Sequence, residues 1–225
     1  MNRWELLGRT ATPDGDEVVL TRHGSEFLIS ASGRPLMSSR MHGSEEALAQ
    51  FGCERARTRP EPCCLVGGLG MGFTVRAALD VLPAGATVVV AELIADIVTW
   101  NRGPLAALAA HPLQDRRVVV EVGDVLEVMR RNPGRFDSVL LDVDNAPVAF
   151  TTAANANLYA GEGLVVLRAS LKPGGVAAVW SAHEDRKFEQ RLRHAGFRVR
   201  VERVRARLKK GGPRHVIFLG ETAGV

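Results

Sequence analysis

The sequence predicts an α/β fold: a doubly wound sheet of seven strands that ends in an antiparallel hairpin, preceded by a small N-terminal β-rich appendage. From residue 63 onward, short apolar runs alternate with helical patterns, which is typical of a parallel sheet covered by helices on both faces. The last two strand candidates follow each other without a helix between them, and this predicts the hairpin.

The strand candidates of the main sheet are β-branched or aliphatic runs, and the first five are nearly continuous, as expected of strands buried on both faces. They cover residues 63–67, 87–93, 117–123, 136–143, 175–182, 197–204 and 215–221. Helices are predicted at residues 73–82, 94–109, 125–132, 161–171 and 184–195. The segment LKPGG at 171–175 should end the fourth of these helices, because Pro173 and two glycines stop a helix.

Two regions are expected: residues 1–50 as the β-rich region and residues 51–225 as the main domain. Residues 16–22 and 26–31 flank a glycine-containing turn and should form a β-hairpin. Residues 44–52, SEEALAQFG, should form a short helix that links the two regions.

The composition, 225 residues of which 46% are hydrophobic and 24% charged, suffices for one well-filled core. No apolar run reaches the length of a membrane span, and the N-terminus lacks the apolar core of a signal peptide, so we expect a cytoplasmic protein without membrane contact. Cys53, Cys63 and Cys64 lack the spacing of metal ligands and are predicted to be buried reduced thiols, with a redox or metal role as the alternative.

The run LVGGLGMGFTVRAALD, residues 65–80, reads as a strand, a glycine turn and the start of a helix, an arrangement that suits a nucleotide-like ligand. A dinucleotide fingerprint needs glycine or alanine three positions after its second glycine, where the helix N-terminus receives a pyrophosphate. Phe73 and Val75 occupy the two positions that this spacing gives. The turn therefore favours a ligand that has an adenosine but no pyrophosphate.

Three acids stand at the ends of successive strand candidates. Glu92 ends the second strand, where a carboxylate can accept both ribose hydroxyls, and Asp124 follows the third, where it and the backbone N–H of Val125 can bind the adenine edge. Asp142 ends the fourth strand. Taken singly, each acid could merely cap the following helix. Their joint placement favours one shared ligand site at the carboxyl edge of the sheet.

These motifs resemble the Rossmann-like class I S-adenosylmethionine-dependent fold, and within it the spermidine synthase-like group, over nearly the whole chain. VGGLGMG resembles the nucleoside-binding glycine loop, AEL the ribose-binding strand end and VGDVLEVM the adenine-binding turn. LLDVDNAP at 140–147 resembles the active-site segment, and residues 157–175 resemble the helix and turn that follow it.

The resemblance implies a transferase of polyamine biosynthesis that takes S-adenosylmethionine or its decarboxylated form, uses no metal, transfers an aminopropyl group to a polyamine or other amine acceptor and forms a homodimer. It assigns Asp142 and Asp144 as catalytic, and Asn145 and Tyr159 as substrate-binding. The donor-binding residues that it implies are Gly68, Gly70, Gly72, Glu92, Leu93, Asp124, Val125 and Asp142.

Two departures from the group's pattern keep other functions open. The group carries two aspartates spaced three apart, but the position three after Asp142 is Asn145. Its glycine loop also carries an acid that grips the donor's aminopropyl amine, whereas this loop has Leu69 and Met71. Ordinary S-adenosylmethionine has a carboxylate and tolerates the loss of that acid. The alternatives are therefore an S-adenosylmethionine-dependent methyltransferase, with nucleic acid as a candidate substrate, or a non-catalytic descendant of the fold.

The most basic stretch, residues 197–215, bears on the nucleic-acid alternative. On a strand, Arg203, Arg205 and Arg207 would project from one face, where they could contact phosphates. The segment has no interleaved aromatic residues for stacking on bases beyond Phe197 at its start. We therefore favour a solvated hairpin face whose arginines protect an edge strand from pairing.

Overall fold

The chain forms two sheets, an antiparallel one at the N-terminus and a larger mixed one flanked by helices. This architecture comes from a computed structural model that describes residues 3–142, 157–206 and 212–224. The predicted α/β class, the seven-stranded sheet and the C-terminal hairpin are confirmed.

The N-terminal sheet has the order β1-β2-β3-β4. Its strands are β1 (Glu5–Ala11), β2 (Glu17–His23), β3 (Glu26–Ala31) and β4 (Arg34–Ser38). The β2–β3 hairpin was predicted, but the sequence analysis missed β1 and β4. These are the two edge strands, and neither has a fully buried residue, so neither carries the apolar alternation that marks a half-buried strand.

The main sheet has the order β10-β11-β9-β8-β5-β6-β7. Strands β5 to β9 pair in parallel, and β11 pairs antiparallel with both β9 and β10. The strands are β5 (Cys63–Gly67), β6 (Thr87–Glu92), β7 (Val118–Val122), β8 (Phe136–Leu141), β9 (Leu171–Ser181), β10 (Arg198–Arg205) and β11 (Arg214–Glu221). Because the carboxyl ends of β5, β6, β7 and β8 share one edge, the acids that follow them come together there.

Strand β9 begins earlier than predicted. The preceding helix ends at Ser170 and the strand starts at Leu171, so LKPGG belongs to the strand and is not a connecting turn. Leu171 pairs with Phe136 and Val176 with Ser138, which leaves extra residues on β9 as a bulge. A bulge accommodates Pro173, which cannot donate to the ladder.

Six α-helices lie in the described part of the chain. They are α1 (Gly43–Gly52), α2 (Phe73–Val81), α3 (Ala95–Arg102), α4 (Val125–Arg130), α5 (Gly161–Ser170) and α6 (Arg186–His194). The helix predicted at 94–109 is shorter than expected, because Gly103 and Pro104 interrupt it and residues 106–109 form a separate 3-10 turn.

The three cysteines are free thiols. Cys53 and Cys64 are buried with their Sγ atoms 3.7 Å apart, and Cys63 is half-buried. Burial raises the pKa of the Cys63 thiol, and the hydrogen bond with Cys53 together with burial raises the pKa of the Cys64 thiol, which disfavours the reactive thiolate. Across the described residues, no helix is both long enough and apolar enough to span a membrane.

Helix α1 is fitted closely against the main sheet at its C-terminal end. A Cβ atom on Gly52 would lie 2.2 Å from Cδ2 of Leu140 and 2.9 Å from Cβ of Ala178. The Ser138 hydroxyl also donates to the carbonyl oxygen of Gly52. These contacts fix the position of α1 and therefore of the side chains in its first turn.

We predict that Gly52→Ala destabilises the protein by about 1–3 kcal/mol, because the added methyl group must displace Leu140 or move α1. Chemical denaturation measures this change. Gly161→Ala is the matched control, since it also adds a methyl group to a helix but nothing lies within 4 Å of the new Cβ. An equal loss of stability in both variants would contradict the close fit of α1.

Candidate active site

A cavity of about 270 Å³ opens between the N-terminal sheet and the carboxyl edge of the main sheet. Apolar side chains of the N-terminal sheet, among them Val18, Ile29 and Met37, line one side. The glycine turn and the ends of the main-sheet strands line the other side. The cavity is therefore a mostly apolar chamber with polar groups concentrated at the strand ends, as is typical of small-molecule sites.

The glycine turn follows β5, and two of its three predicted glycines, Gly68 and Gly70, line the cavity. Both have left-handed backbone, with φ of 88° and 51°. A Cβ on Gly70 would lie 2.7 Å from Cε of Met37, so only glycine lets the two sheets approach here. Gly72 lies outside the cavity lining and instead forms the N-cap of α2, also in left-handed conformation.

Glu92 lies at the end of β6, is 6% exposed and lines the cavity. Its Oε2 accepts a hydrogen bond from the backbone N–H of Leu69 at 2.8 Å, and its Oε1 accepts one from Ile94 at 2.9 Å. The carboxylate therefore holds the glycine turn in place. A carboxylate at this strand end is also of the type that accepts hydrogen bonds from ligand hydroxyl groups.

Asp124 and Asp142 reach the cavity by different routes. Asp124 is the N-cap of α4 and accepts a hydrogen bond from the N–H of Leu126 at 2.8 Å. The capping alternative thus describes Asp124 correctly, although it also lines the cavity beside Leu93 and Val125. Asp142 follows β8, lines the cavity and accepts a hydrogen bond from the Thr74 hydroxyl at 2.9 Å.

Several residues singled out in the sequence lie elsewhere. Leu69 and Met71 are 3% and 1% exposed and belong to the core, so their side chains do not face the cavity as the sequence analysis assumed. Tyr159 is 2% exposed, packs edge-on against Phe188 and is not among the residues that line the cavity, so the structure does not place it at a substrate. Asp144 and Asn145 lie outside the described residues.

The sequence analysis missed Glu45, which projects into the cavity from the first turn of α1 and is 7% exposed. Burial and, after it, the negative charge of Asp142 raise the pKa of its carboxyl to about 8. In the sequence, Glu45 and Glu46 are ordinary acids of a helix N-terminus, where they favour the helix dipole. Only the packing of α1 shows that one of them faces the cavity.

A short hydrogen-bonded chain continues from Glu45 to the edge of the cavity. The Ser44 hydroxyl donates to Oε2 of Glu45 at 2.6 Å, and Nδ1 of His215 lies 2.9 Å from the Ser44 oxygen. The His215 ring packs edge-on against Trp180, with ring centroids 4.7 Å apart. Burial lowers the pKa of His215, and the neighbouring His183 lowers it further. All of these groups except Ser44 and His183 line the cavity.

The charges of the cavity have one sign. The acids that line it are Glu45, Glu92, Asp124 and Asp142. Within residues 3–142, 157–206 and 212–224, the only basic side chain of the lining is His215, and no lysine or arginine contributes. A lining in which carboxyl groups predominate favours a positively charged ligand. The same ranges contain no cluster of three or more potential metal ligands.

The order of the mixed sheet and the glycine turn at its carboxyl edge define a Rossmann-like α/β protein. Spermidine synthases are among the solved structures to which this chain is similar. The enzyme from Thermotoga maritima superposes with a TM-score of 0.75 at 16% identity, over 97% of this chain and 73% of that one. A spermidine synthase in complex with the transition state analogue AdoDATO gives a TM-score of 0.73 at 15% identity, with the same coverage.

A probable spermidine synthase from Corynebacterium glutamicum superposes with a TM-score of 0.67 at 19% identity, over 95% of this chain and 79% of that one. No family model and no curated protein matches the sequence. The chain therefore has the spermidine synthase fold, including the N-terminal sheet, as the resemblance implied. The homodimer and the cytoplasmic location stay predictions.

The basic hairpin is neutralised in part by acids. Three of its arginines form ion pairs: Arg198 with Glu221 at 2.6 Å, Arg200 with Glu54 at 3.0 Å and Arg203 with Glu184 at 2.6 Å. An arginine that already has a carboxylate partner contributes less to phosphate binding. The pairs support the solvated hairpin face over a nucleic-acid surface; Arg207 lies outside the described residues.

We predict that Glu45→Gln stabilises the protein relative to wild type as the pH rises from about 5 to 8. The folded protein holds a proton on Glu45 that the unfolded chain releases above its ordinary pKa of 4.5, so wild-type stability is lost in this window, by at most about 1.4 kcal/mol per pH unit. Denaturant unfolding across this pH range measures the difference between the two proteins.

Glu54→Gln serves as the control for this series, because Glu54 follows α1 on the surface and pairs with Arg200. Its stability difference from wild type should not vary with pH in the same window. If the stability of Glu45→Gln changes with pH from 5 to 8 in the same way as that of wild type, then Glu45 is ionised in the cavity and the prediction is wrong.

Proposed function

We propose that the protein transfers an aminopropyl group from decarboxylated S-adenosylmethionine to an amine acceptor, as a spermidine synthase-like transferase. The observation that carries this proposal is that two carboxyl groups, Glu45 and Asp142, share one mostly apolar cavity beside the glycine turn. A buried pair of carboxyl groups binds a cation well, because the cation relieves both their desolvation and their mutual repulsion.

The same pair supports the choice of donor. Decarboxylated S-adenosylmethionine ends in an ammonium group, whereas S-adenosylmethionine carries a carboxylate as well. That carboxylate would meet the charges of Glu45 and Asp142, and the described lining offers it no lysine or arginine. Glu45 on α1 thus takes the place of the acid that the glycine loop lacks. The presence of Leu69 and Met71 in that loop is then no longer an argument against aminopropyl transfer.

The nucleoside half of the donor is assigned to the strand ends. Glu92 lines the cavity at the end of β6, where a carboxylate can accept the ribose hydroxyls, and Asp124 with the N–H of Val125 can hold the adenine edge. Gly68 and Gly70 leave room for the backbone to approach the ligand. Support comes from the similar spermidine synthase that was solved with AdoDATO.

The chemistry asks little of the protein beyond position, dryness and a base. The sulfonium of the donor makes its methylene carbon electrophilic: the acceptor nitrogen forms a bond to this carbon, and the carbon–sulfur pair of electrons stays on sulfur as a neutral thioether. Asp142 and Glu45 orient the ammonium groups and supply a carboxylate that takes the proton from the nitrogen. Asp144 and Asn145 remain candidates for holding the far end of the acceptor.

We predict that decarboxylated S-adenosylmethionine binds at least about tenfold more tightly than S-adenosylmethionine, a difference of about 1.4 kcal/mol. Asp142→Asn should weaken the binding of the decarboxylated donor and reduce this preference, because one of the two carboxyl groups is lost. Isothermal titration calorimetry with both donors measures it. Asp80→Asn, on the exposed face of α2, is the control and should bind like wild type. Tighter binding of S-adenosylmethionine would favour methyl transfer instead.

We also predict spermidine formation from putrescine and the decarboxylated donor, with Asp142→Asn lowering kcat/KM by about 100-fold or more. Chromatographic detection of the product in a multiple-turnover assay tests this. The Asp80→Asn control should retain activity. If the protein binds the donor but turns over no diamine, it is a binding protein that has kept the fold, and the proposed function is wrong.

A further inference from the structure

We propose that Glu45, and not Asp142, is the carboxyl group that takes the proton from the acceptor amine, and that Ser44 and His215 pass this proton out of the cavity. The inference rests on the proposed function for its substrate. Its structural basis is the hydrogen-bonded chain that links the cavity to the start of β11.

The hydrogen-bonded chain from Glu45 through Ser44 to His215 has no gap. The Ser44 oxygen lies 2.6 Å from Oε2 of Glu45 and 2.9 Å from Nδ1 of His215, both within hydrogen-bonding distance. Ser44 is 1% exposed, so its hydroxyl bridges the two groups without competition from bulk water. His215 is half-buried and so retains contact with solvent.

The two cavity acids have different surroundings. Asp142 is half-buried and accepts a hydrogen bond from the Thr74 hydroxyl. Burial raises the pKa of Glu45 by more than the hydrogen bond from the Ser44 hydroxyl lowers it, and the negative charge of Asp142 raises this pKa as well. When the environments of two carboxyl groups push their pKa values apart, the groups take different roles in acid–base catalysis. Asp142 is the group that stays charged and orients the ammonium, and Glu45 is the group that exchanges a proton.

The proton balance follows from the hydrogen-bond directions. When the new carbon–nitrogen bond forms, the ionised Glu45 takes one proton from the nitrogen. The His215 ring exchanges with water to the tautomer that carries its proton on Nε2, which leaves Nδ1 free. Glu45 then donates a proton to the Ser44 oxygen while the Ser44 hydroxyl proton moves to Nδ1 of His215. The imidazolium releases its Nε2 proton to water, which restores the ionised Glu45 and the ring protonated on Nδ1. No oxidant, reductant or metal takes part.

The charged neighbours favour this direction of transfer. Asp142 after β8 and Glu46 on α1 both raise the pKa of Glu45, which makes it a competent base near neutral pH. His183, which follows β9, together with burial lowers the pKa of His215. The imidazole is therefore neutral at pH 7, and it can accept a proton and release it quickly.

Nuclear magnetic resonance of the substrate-free protein tests the chain directly. With Glu45 protonated, Nδ1 of His215 accepts from Ser44; with Glu45 ionised, Nδ1 carries the proton. The ¹⁵N signals of His215 should therefore exchange tautomers as the pH rises through about 8, the pKa of Glu45. Glu45→Gln and Ser44→Ala should abolish this change, whereas Ser44→Thr, which keeps the hydroxyl, should preserve it. An identical His215 titration in wild type and in Ser44→Ala would overturn the proposal.

Kinetics separate proton transfer from a merely structural role. Ser44→Ala should lower kcat by about 10- to 100-fold and leave the Kd of the decarboxylated donor unchanged, and Ser44→Thr should recover most of the rate. The control His194→Gln removes an exposed imidazole at the end of α6 that has no part in the relay, and should stay within about twofold of wild type. A full rate in Ser44→Ala would refute the relay. If the wild-type protein transfers no aminopropyl group, the proposed function fails, and the tautomer measurement still decides whether the chain conducts a proton.

Discussion

The interaction on which the site depends is the electrostatic repulsion between Glu45 and Asp142 inside one apolar cavity. Burial is the larger cause that disfavours the charged form of Glu45, and the negative charge of Asp142 adds to that cost, so the two carboxyl groups cannot both be charged without cost. The empty site therefore favours one proton on Glu45, and a cationic ligand that replaces this proton is bound strongly. The repulsion turns a cavity that would suit many adenosine-type ligands into one that prefers a positively charged tail.

The fold maintains this repulsion by holding two distant segments together. Helix α1 is seated on the main sheet through Gly52, which leaves no space for a side chain, and this fixes Glu45. Asp142 is placed by β8 and by the Thr74 hydroxyl at the start of α2. The N-terminal sheet completes the enclosure with apolar residues such as Met37, and the resulting low dielectric strengthens the interaction between the acids.

Most of the fold could be predicted because local signals and tertiary structure agree. Strands β5, β6, β8 and β9 are largely buried and show it as apolar runs, and the glycine turn marks its own position. The edge strand β7 is also apolar, although Val119 and Val122 are exposed. The edge strands β1 and β4 could not be predicted, since their residues are mostly exposed or half-buried. The extension of β9 through Pro173 depends on a bulge that sequence periodicity does not reveal.

The candidate site was predictable only where strand ends determine position. Glu92, Asp124 and Asp142 line the cavity because the carboxyl ends of neighbouring parallel strands must meet. The directions of side chains on the glycine turn were not predictable, and Leu69 and Met71 point into the core. Glu45 depends on how α1 packs against the sheet, which is a tertiary feature without a local sequence pattern.

The most direct test of the account is the number of protons released when decarboxylated S-adenosylmethionine binds at pH 7. Calorimetry in buffers of different ionisation enthalpy gives this number. The account predicts the release of about one proton in wild type, because the incoming cation ionises Glu45, and almost none in Glu45→Gln. Binding without proton release in wild type, or equal release in the variant, would contradict it.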